Sequence, residues 1–250
     1  MSKKFIYYGS VGSAPAYDPD AQAFLDATGI TDVTISDAIN TLVVDLKSYG
    51  LWTKMRAVYP YVGGTATTHK WNLIDPRDLD IAFRITFVGG MSHDSNGVTF
   101  GGVNGQAQSN CYGVTASAYG FGFYSRTNST VGSTDIYLGA GLHIYPYFSG
   151  KTYHRGIGAS PDNYINTDSR GLFHQYGKSV DSTAFLNGVK KLTGGSGAAS
   201  GSIIMFGLGS GASNRNHAFG FITNTSFTDV EASDLYALVQ TFQTSLSRQV

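Results

Sequence analysis

The residues able to do chemistry are few in this 250-residue sequence: one glutamate, six histidines and one cysteine. Retaining glycoside hydrolysis needs two carboxylates about 5 Å apart. Glu231 has no second glutamate to work with, and it stands where a helix cap belongs. Asp75, Asp78 and Asp80 are close together, but they surround Pro76 in a loop, where turn and capping roles are the expectation. His69, His93, His143, His154, His174 and His217 show neither H-x-x-x-H nor H-E-x-x-H spacing, so nothing in the sequence supports a zinc hydrolase. No G-x-S-x-G elbow supplies a serine nucleophile, and Gly89-Gly90 lacks the Lys-Ser/Thr that completes a phosphate loop. Cys111 stands alone and reads as a small buried apolar residue. No catalytic residue is assigned, and the chain is expected not to be an enzyme.

Two loops carry oxygen ligands at alternate positions. In Ser92-His93-Asp94-Ser95-Asn96-Gly97, Asp94 and Asn96 could begin a calcium loop, without the further acidic ligands of an EF-hand. Asp162-Asn163 with Asn166 and Asp168 forms the second. Gly- and Asx-terminated turns explain both, and calcium is the one cofactor they leave open. The 16 tyrosines offer a different chemistry. An aromatic ring on a sheet face stacks on a sugar ring while neighbouring Asn and Asp bond its hydroxyls. Tyr112, Tyr137, Tyr145 and Tyr147 are the candidates, although the same residues suit a sheet packed on another subunit.

The elements that position these residues follow from periodicity. Asp20 to Thr28 reads as a short helix ended by Gly29. A longer helix near 36–49 has Ser36 as N-cap, with Ile39, Leu42, Val43 and Leu46 on one face and Gly50 at its end. From about residue 54 the period becomes two. Ile81, Phe83, Ile85 and Phe87 alternate with Arg84 and Thr86 as the clearest strand. Phe121 and Phe123 alternate with Gly120 and Gly122, which implies close packing over the glycines. Ile136/Leu138, Leu142/Ile144 and Ile204/Phe206/Leu208 repeat the pattern. Asn187-Gly188 centres a type I′ hairpin between Phe185-Leu186 and Val189–Leu192. Thr228 and Glu231 form a capping box that opens a helix near 229–247.

Charged residues are only 14% of the sequence and balance to a formal net charge of zero. That excludes a basic footprint for nucleic acid, and no apolar run reaches the length needed for membrane insertion. The apolar run Phe5–Tyr8 is shorter than a secretory signal requires, so an unprocessed N-terminus is expected. A low-charge surface rich in Gly and Tyr suits contact with copies of itself or with a partner. Residues 1–17 look extended, as an arm or edge strand, and 18–250 read as one domain.

The stretch FLNGVKKL (185–192) and the segment AFGFITNTSFTDVEASDLYALVQTFQTSL (218–246) resemble the concanavalin A-like, laminin-G-like jelly roll. AFLDATGITDVTISDAINTLVVDLKSYGLWTKMRAVYPYVGG (23–64), followed by NLIDPRDLDIAFRITFVGG (72–90), looks like the segment preceding that jelly roll in tailed-phage virion proteins. The resemblance implies a mainly β, jelly-roll sandwich with two accessory amphipathic helices. It implies a non-enzymatic virion subunit (a surface decoration, fibre or tail-associated part) that assembles in the host cytoplasm and is exposed on the released particle. Its partners would be other virion proteins, copies of itself and cell-surface glycans. A carbohydrate-binding adhesion module is the alternative, and a polysaccharide hydrolase the third.

Overall fold

The computed structural model describes residues 16–101, 105–111, 118–138, 142–155, 161–178, 182–195, 204–207 and 213–250. Helices α1 (Pro19–Thr28) and α2 (Val33–Ser48) come first, then strand β1 (Met55–Tyr59) and one helical turn, α3 (Ala66–His69). Short strands follow: β2 (Thr86–Val88), β3 (Ser92–Asp94), β4 (Gly97–Thr99) and β5 (Gln106–Gln108). The centre of the chain supplies β6 (Ala118–Ser125), β7 (Ile136–Leu138), β8 (Leu142–Phe148), β9 (Lys151–Arg155) and β10 (Asn163–Ile165). Then come β11 (Gly171–Lys178), β12 (Ser182–Leu186), β13 (Val189–Gly194), β14 (Ile204–Phe206), β15 (Asn216–Thr223) and helix α4 (Asp229–Ser245).

The strands form two antiparallel sheets. The first runs β13-β12-β11-β6-β15-β4-β3, with β1 also on β15; the second runs β10-β9-β8-β7-β14-β5-β2. The fold is a jelly-roll β-sandwich. Tyr119, Phe121, Phe123, Phe173 and Ile222 of the first sheet meet Ile136, Leu142, Ile144, Ile204 and Phe206 of the second in a shared core. The opposite face of the first sheet is covered. There Tyr124, Leu172, Tyr176, Phe185, Phe219 and Phe221 pack against the apolar sides of α1, α2 and α4. The molecule is therefore layered as helices, first sheet, second sheet.

Strand β6 shows how the sequence makes this possible. A Cβ on Gly120 would lie 2.2 Å from the Tyr176 ring, and one on Gly122 would lie 2.5 Å from the His174 Cβ. The glycines leave room for the large residues of β11 beneath the helices, while Phe121 and Phe123 fill the inter-sheet core. The expected hairpin also forms, with Asn187 at φ 52° and Gly188 at φ 71°, as a type I′ turn demands.

Three local readings change. Helix α2 begins at Val33, capped by Asp32, whose carboxylate accepts from Ile35 N at 3.0 Å. Ser36 lies inside the first turn instead, and its Oγ donates to Asp32 O at 2.9 Å. Residues 81–87 are not one strand. Asp80–Ala82 is a 3-10 turn, Phe83 has φ 59° and Ile81 is 75% exposed; only Thr86–Val88 is strand. Side chains take the carbonyls a ladder would use: Asn72 donates to Ala82 O at 3.0 Å and the Tyr59 hydroxyl to Phe83 O at 2.6 Å, while Arg84 bonds Asp80 at 3.0 Å and Asp78 at 2.7 Å across the turn. Asn110 donates to Arg84 O at 2.9 Å and fixes it there. Asp75 and Asp78 are likewise ion-pair partners, of Arg77 at 2.5 Å and Lys70 at 2.8 Å, and not a carboxylate pair. Of the expected N-terminal arm, residues 1–15 lie outside the described residues, as does Leu208. Tyr17 joins the helical layer, donating to Asp37 at 2.8 Å.

Candidate functional site

The helices cover the first sheet, so among the described residues the outer face of the second sheet is the broad strand surface left open. Strand β8 alternates across it: Leu142 and Ile144 point into the core, and His143 and Tyr145 point outward. Register carries this parity to the neighbouring strands. Tyr137 of β7 lies opposite His143, Arg155 of β9 lies opposite His143 on the other side, and Tyr153 faces Tyr145. Asn163 of β10 continues beside Tyr153. In the other direction Met205 and Gln108 extend the row from Tyr137.

A register shift between Tyr145 and Phe148 marks a β-bulge, and Ser149 (φ 52°) and Gly150 (φ 78°) turn the chain into β9. The extra residue re-aims Phe148 onto the outer face. The Phe148 centroid lies 6.2 Å from Tyr145 and 5.9 Å from Tyr153, and those two tyrosines are 6.4 Å apart at 76°. His143 sits edge-on to Tyr145 at 5.0 Å and stacks at 16° with Tyr137. The Arg155 guanidinium lies 4.9 Å from the Tyr153 ring centre and pairs with Asp162 at 3.0 Å. Tyr145, Phe148, Tyr153 and Arg155 together line a recess of about 100 Å³. Burial and the nearby Arg155 charge push the His143 pKa below its ordinary value, so the imidazole is neutral at physiological pH.

Of the four tyrosines singled out in the sequence, Tyr137 and Tyr145 belong to this surface. Tyr147 lies half-buried within the bulge, and Tyr112 is outside the described residues. The sequence analysis missed Phe148, Tyr153 and Arg155. The dipeptide Ser149-Gly150 was the signal for the turn that brings β8 and β9 together.

A buried polar cluster supports the edge of this surface. Arg215, Asp135 and His217 are fully buried. Arg215 donates to Asp135 Oδ1 at 3.2 Å, to Ser133 Oγ at 2.7 Å and to the carbonyls of Ser129 and Val131, each at 2.8 Å. His217 Nε2 lies 3.0 Å from Asp135 Oδ2, and its ring stacks on Phe123 at 4.4 Å. Burial opposes ionisation of Asp135, but the Arg215 charge and the His217 hydrogen bond outweigh it and hold the pKa below the usual carboxylate value. The cluster fixes the loop in which a Cβ on Gly132 would lie 2.6 Å from the Phe148 ring. Asp135 and His217 are both fully buried, and with Arg215 their hydrogen bonds tie this loop to the first sheet.

The other sequence candidates have local partners. Glu231 completes its capping box with Thr228, at 2.9 and 3.2 Å, and also pairs with Lys54. Asp94 accepts from Asn96 N at 2.8 Å in the β3–β4 turn, and Asp168 pairs with Arg170 at 2.7 Å. Among the described residues no group of three His, Cys, Asp or Glu side chains gathers to hold a metal. Burial raises the Cys111 pKa to about 11, which keeps it a thiol. The histidines are less isolated than their spacing implied. Gly64 N–H donates to His69 Nε2 at 3.2 Å, which leaves Nδ1–H of His69 to donate to His93 Nδ1 at 3.0 Å.

No family model matches the sequence, and no curated protein matches it. Solved structures do share the fold. A mutant Trypanosoma rangeli sialidase displaying trans-sialidase activity superposes on 82% of this chain with a TM-score of 0.54 at 11% identity. The binding domain of botulinum neurotoxin serotype D covers 74% with a TM-score of 0.52 at 8% identity. The binding domain of botulinum neurotoxin DC, solved with rat synaptotagmin II, covers 75% with a TM-score of 0.51 at 12% identity. This chain spans 39% of the sialidase and 52% of each neurotoxin chain. At these identities the likeness is one of fold.

Proposed function

We propose that the chain is a non-enzymatic carbohydrate-binding adhesion module whose binding surface is the outer face of the second sheet. The cluster of Tyr145, Phe148 and Tyr153, with Phe148 51% exposed beside the Arg155–Asp162 pair, carries this reading. The exposed Phe148 ring and the partly exposed Tyr145 and Tyr153 rings supply apolar faces for the C–H side of a sugar, and the flanking guanidinium, carboxylate and Asn163 supply hydroxyl partners. Precedent at the level of fold comes from neighbours that are a sialidase and toxin binding domains. A glycan array run with and without calcium tests the proposal. Saturable binding that Tyr153→Ala weakens at least tenfold supports it, and no binding at millimolar sugar overturns it. For the absence of catalysis, the test is a polysaccharide panel; release of reducing ends would refute that part.

We further propose a tailed-phage particle as the setting, with other virion proteins and copies of the chain as partners. The support is the resemblance of residues 23–64 and 72–90 to the segment preceding the jelly roll in virion proteins. Mass spectrometry of purified virions should find the chain in many copies, and its absence would remove this setting while leaving the binding module standing.

A further inference from the structure

A second concavity lies away from the aromatic face, where four parts of the chain converge. The α1–α2 connection (29–32), the residues after β1 (62–68), the β3–β4 turn at Ser95 and the end of α4 (245–248) border an open groove of about 650 Å³. That is within the range of small-molecule sites, about 300–1,000 Å³. Apolar Ile30, Ile35, Val62 and Leu246 share the lining with the hydroxyls of Thr31, Thr34, Thr68, Ser95, Ser245 and Ser247.

Arg248 is the cationic residue of the lining. It is 2% exposed, and its hydrogen bonds run to Gln243 Oε1 at 3.0 Å and to the carbonyls of Tyr61, Pro60 and Ala218 at 2.9, 3.2 and 3.1 Å. Every one of those acceptors is neutral. A buried cation ordinarily has a carboxylate beside it, as Arg215 has Asp135. Arg126 aggravates the imbalance, because its Nε donates to Arg248 O at 2.7 Å and its charge repels. Burial, together with Arg126, pulls the Arg248 pKa down to about 9, with weaker opposing pulls from Tyr124 and Asp94, so the side chain is still protonated at neutral pH. The four bonds occupy four of the five guanidinium N–H groups, leaving one on Nη1. Asp32 is the acidic residue in the lining, and its Oδ1 is engaged with the α2 N-terminus.

We propose that this groove is a second ligand site, for a small hydroxylated carboxylate of the sugar-acid class, with Arg248 supplying the counter-charge and the threonine and serine hydroxyls engaging the ring. Asp32 then disfavours multiply charged anions and accepts from a ligand hydroxyl. The site is independent of the aromatic face, and it stands or falls separately.

The test follows amide NMR shifts of the full chain during titration with glucuronate, glucose and inorganic phosphate. Glucuronate should move the amides of Thr31, Gly63 and Gly64 with a Kd of about 1 mM or tighter, and glucose and phosphate should bind at least tenfold more weakly. Thr34→Trp, at an exposed position on the rim, should fill the groove and weaken glucuronate at least tenfold, whereas Tyr153→Ala should leave it unchanged. Arg248→Gln, if circular dichroism shows it folded, should lose the preference for glucuronate over glucose. Equal response to glucuronate and glucose or phosphate, no shift at these amides, or full affinity in Thr34→Trp would overturn the proposal.

Discussion

Acid should destabilise this protein well before its carboxylates titrate. His69, His154 and His174 are buried, and each has its pKa lowered to about 3 chiefly by loss of hydration. The ordinary value is 6.5. In the folded state these imidazoles stay neutral, whereas in the unfolded state they take up protons as pH falls through 6.5. Folding stability is therefore complete above that value and declines below it. At about pH 5 each histidine costs RT ln(1 + 10^1.5), about 2 kcal/mol, relative to neutral pH. Three such groups sum to about 6 kcal/mol, comparable with the whole stability of a typical domain, about 5–15 kcal/mol. The lowered carboxylates Asp18, Asp75, Asp78 and Asp168 act in the same direction, but in a lower window, because their unfolded value is 3.8. Urea unfolding at several pH values reads the effect directly, and the slope between about pH 6 and 5 should correspond to nearly three protons from these groups, with further uptake from His93 and His143, which burial also lowers. His174→Phe keeps a ring beside Phe185, whose centroid is 5.1 Å away, and removes one titrating group. Its profile should be shallower by about one proton. A loss of under about 2 kcal/mol between about pH 7 and 5, or an unchanged slope in the variant, would refute the reasoning.

Thr228→Ala should remove one half of the α4 capping box and lower stability by about 1 kcal/mol, measurable as a fall in the urea midpoint at constant m. Gly188→Ala places a Cβ 3.0 Å from Ser233 Cα and Tyr236 Cβ at a φ of +71°, so it should cost more than 1 kcal/mol, about 1–2 from the backbone alone, and lower the melting temperature. Because Asp94 closes its own turn, chelator and millimolar calcium should give the same melting curve, and a calcium-dependent rise would restore the loop as a metal site.

What could be read from the sequence was what local spacing encodes. The Asn187-Gly188 turn and the Thr228/Glu231 box each need only a few adjacent residues, and both form as expected. The alternation of Phe121 and Phe123 with Gly120 and Gly122 implied close packing for the same reason, and Tyr176 and His174 supply it. Where one local signal competed with another, the reading went astray. Asp32 and Ser36 can each cap a helix, and the chain uses the earlier one. Alternation across Ile81–Phe87 yields to side chains from elsewhere, Asn72, Tyr59 and Asn110, that bond the carbonyls of Ala82, Phe83 and Arg84. The site itself depends on pairings that no window contains. Tyr145 meets Tyr153 only through the β8–β9 register, and Arg215 reaches Asp135 across 80 residues. Neither contact has a spacing signature, so composition could nominate tyrosines but could not assemble them.

The one-sided helical cover also gives the molecule a front and a back. Helices α1 and α4, the first and last elements of the described chain, both belong to the back layer. Val250 is fastened there as well, its N–H donating to the Tyr124 hydroxyl of β6 at 2.8 Å. A tether pulling at Val250 would load the helix–sheet packing, with the second sheet on the opposite side of the molecule. Many copies held by their backs on one support would all present their rings in the same direction. Contacts too weak to matter singly would then add up, and a neighbour's grip would hold each released ring close to its partner.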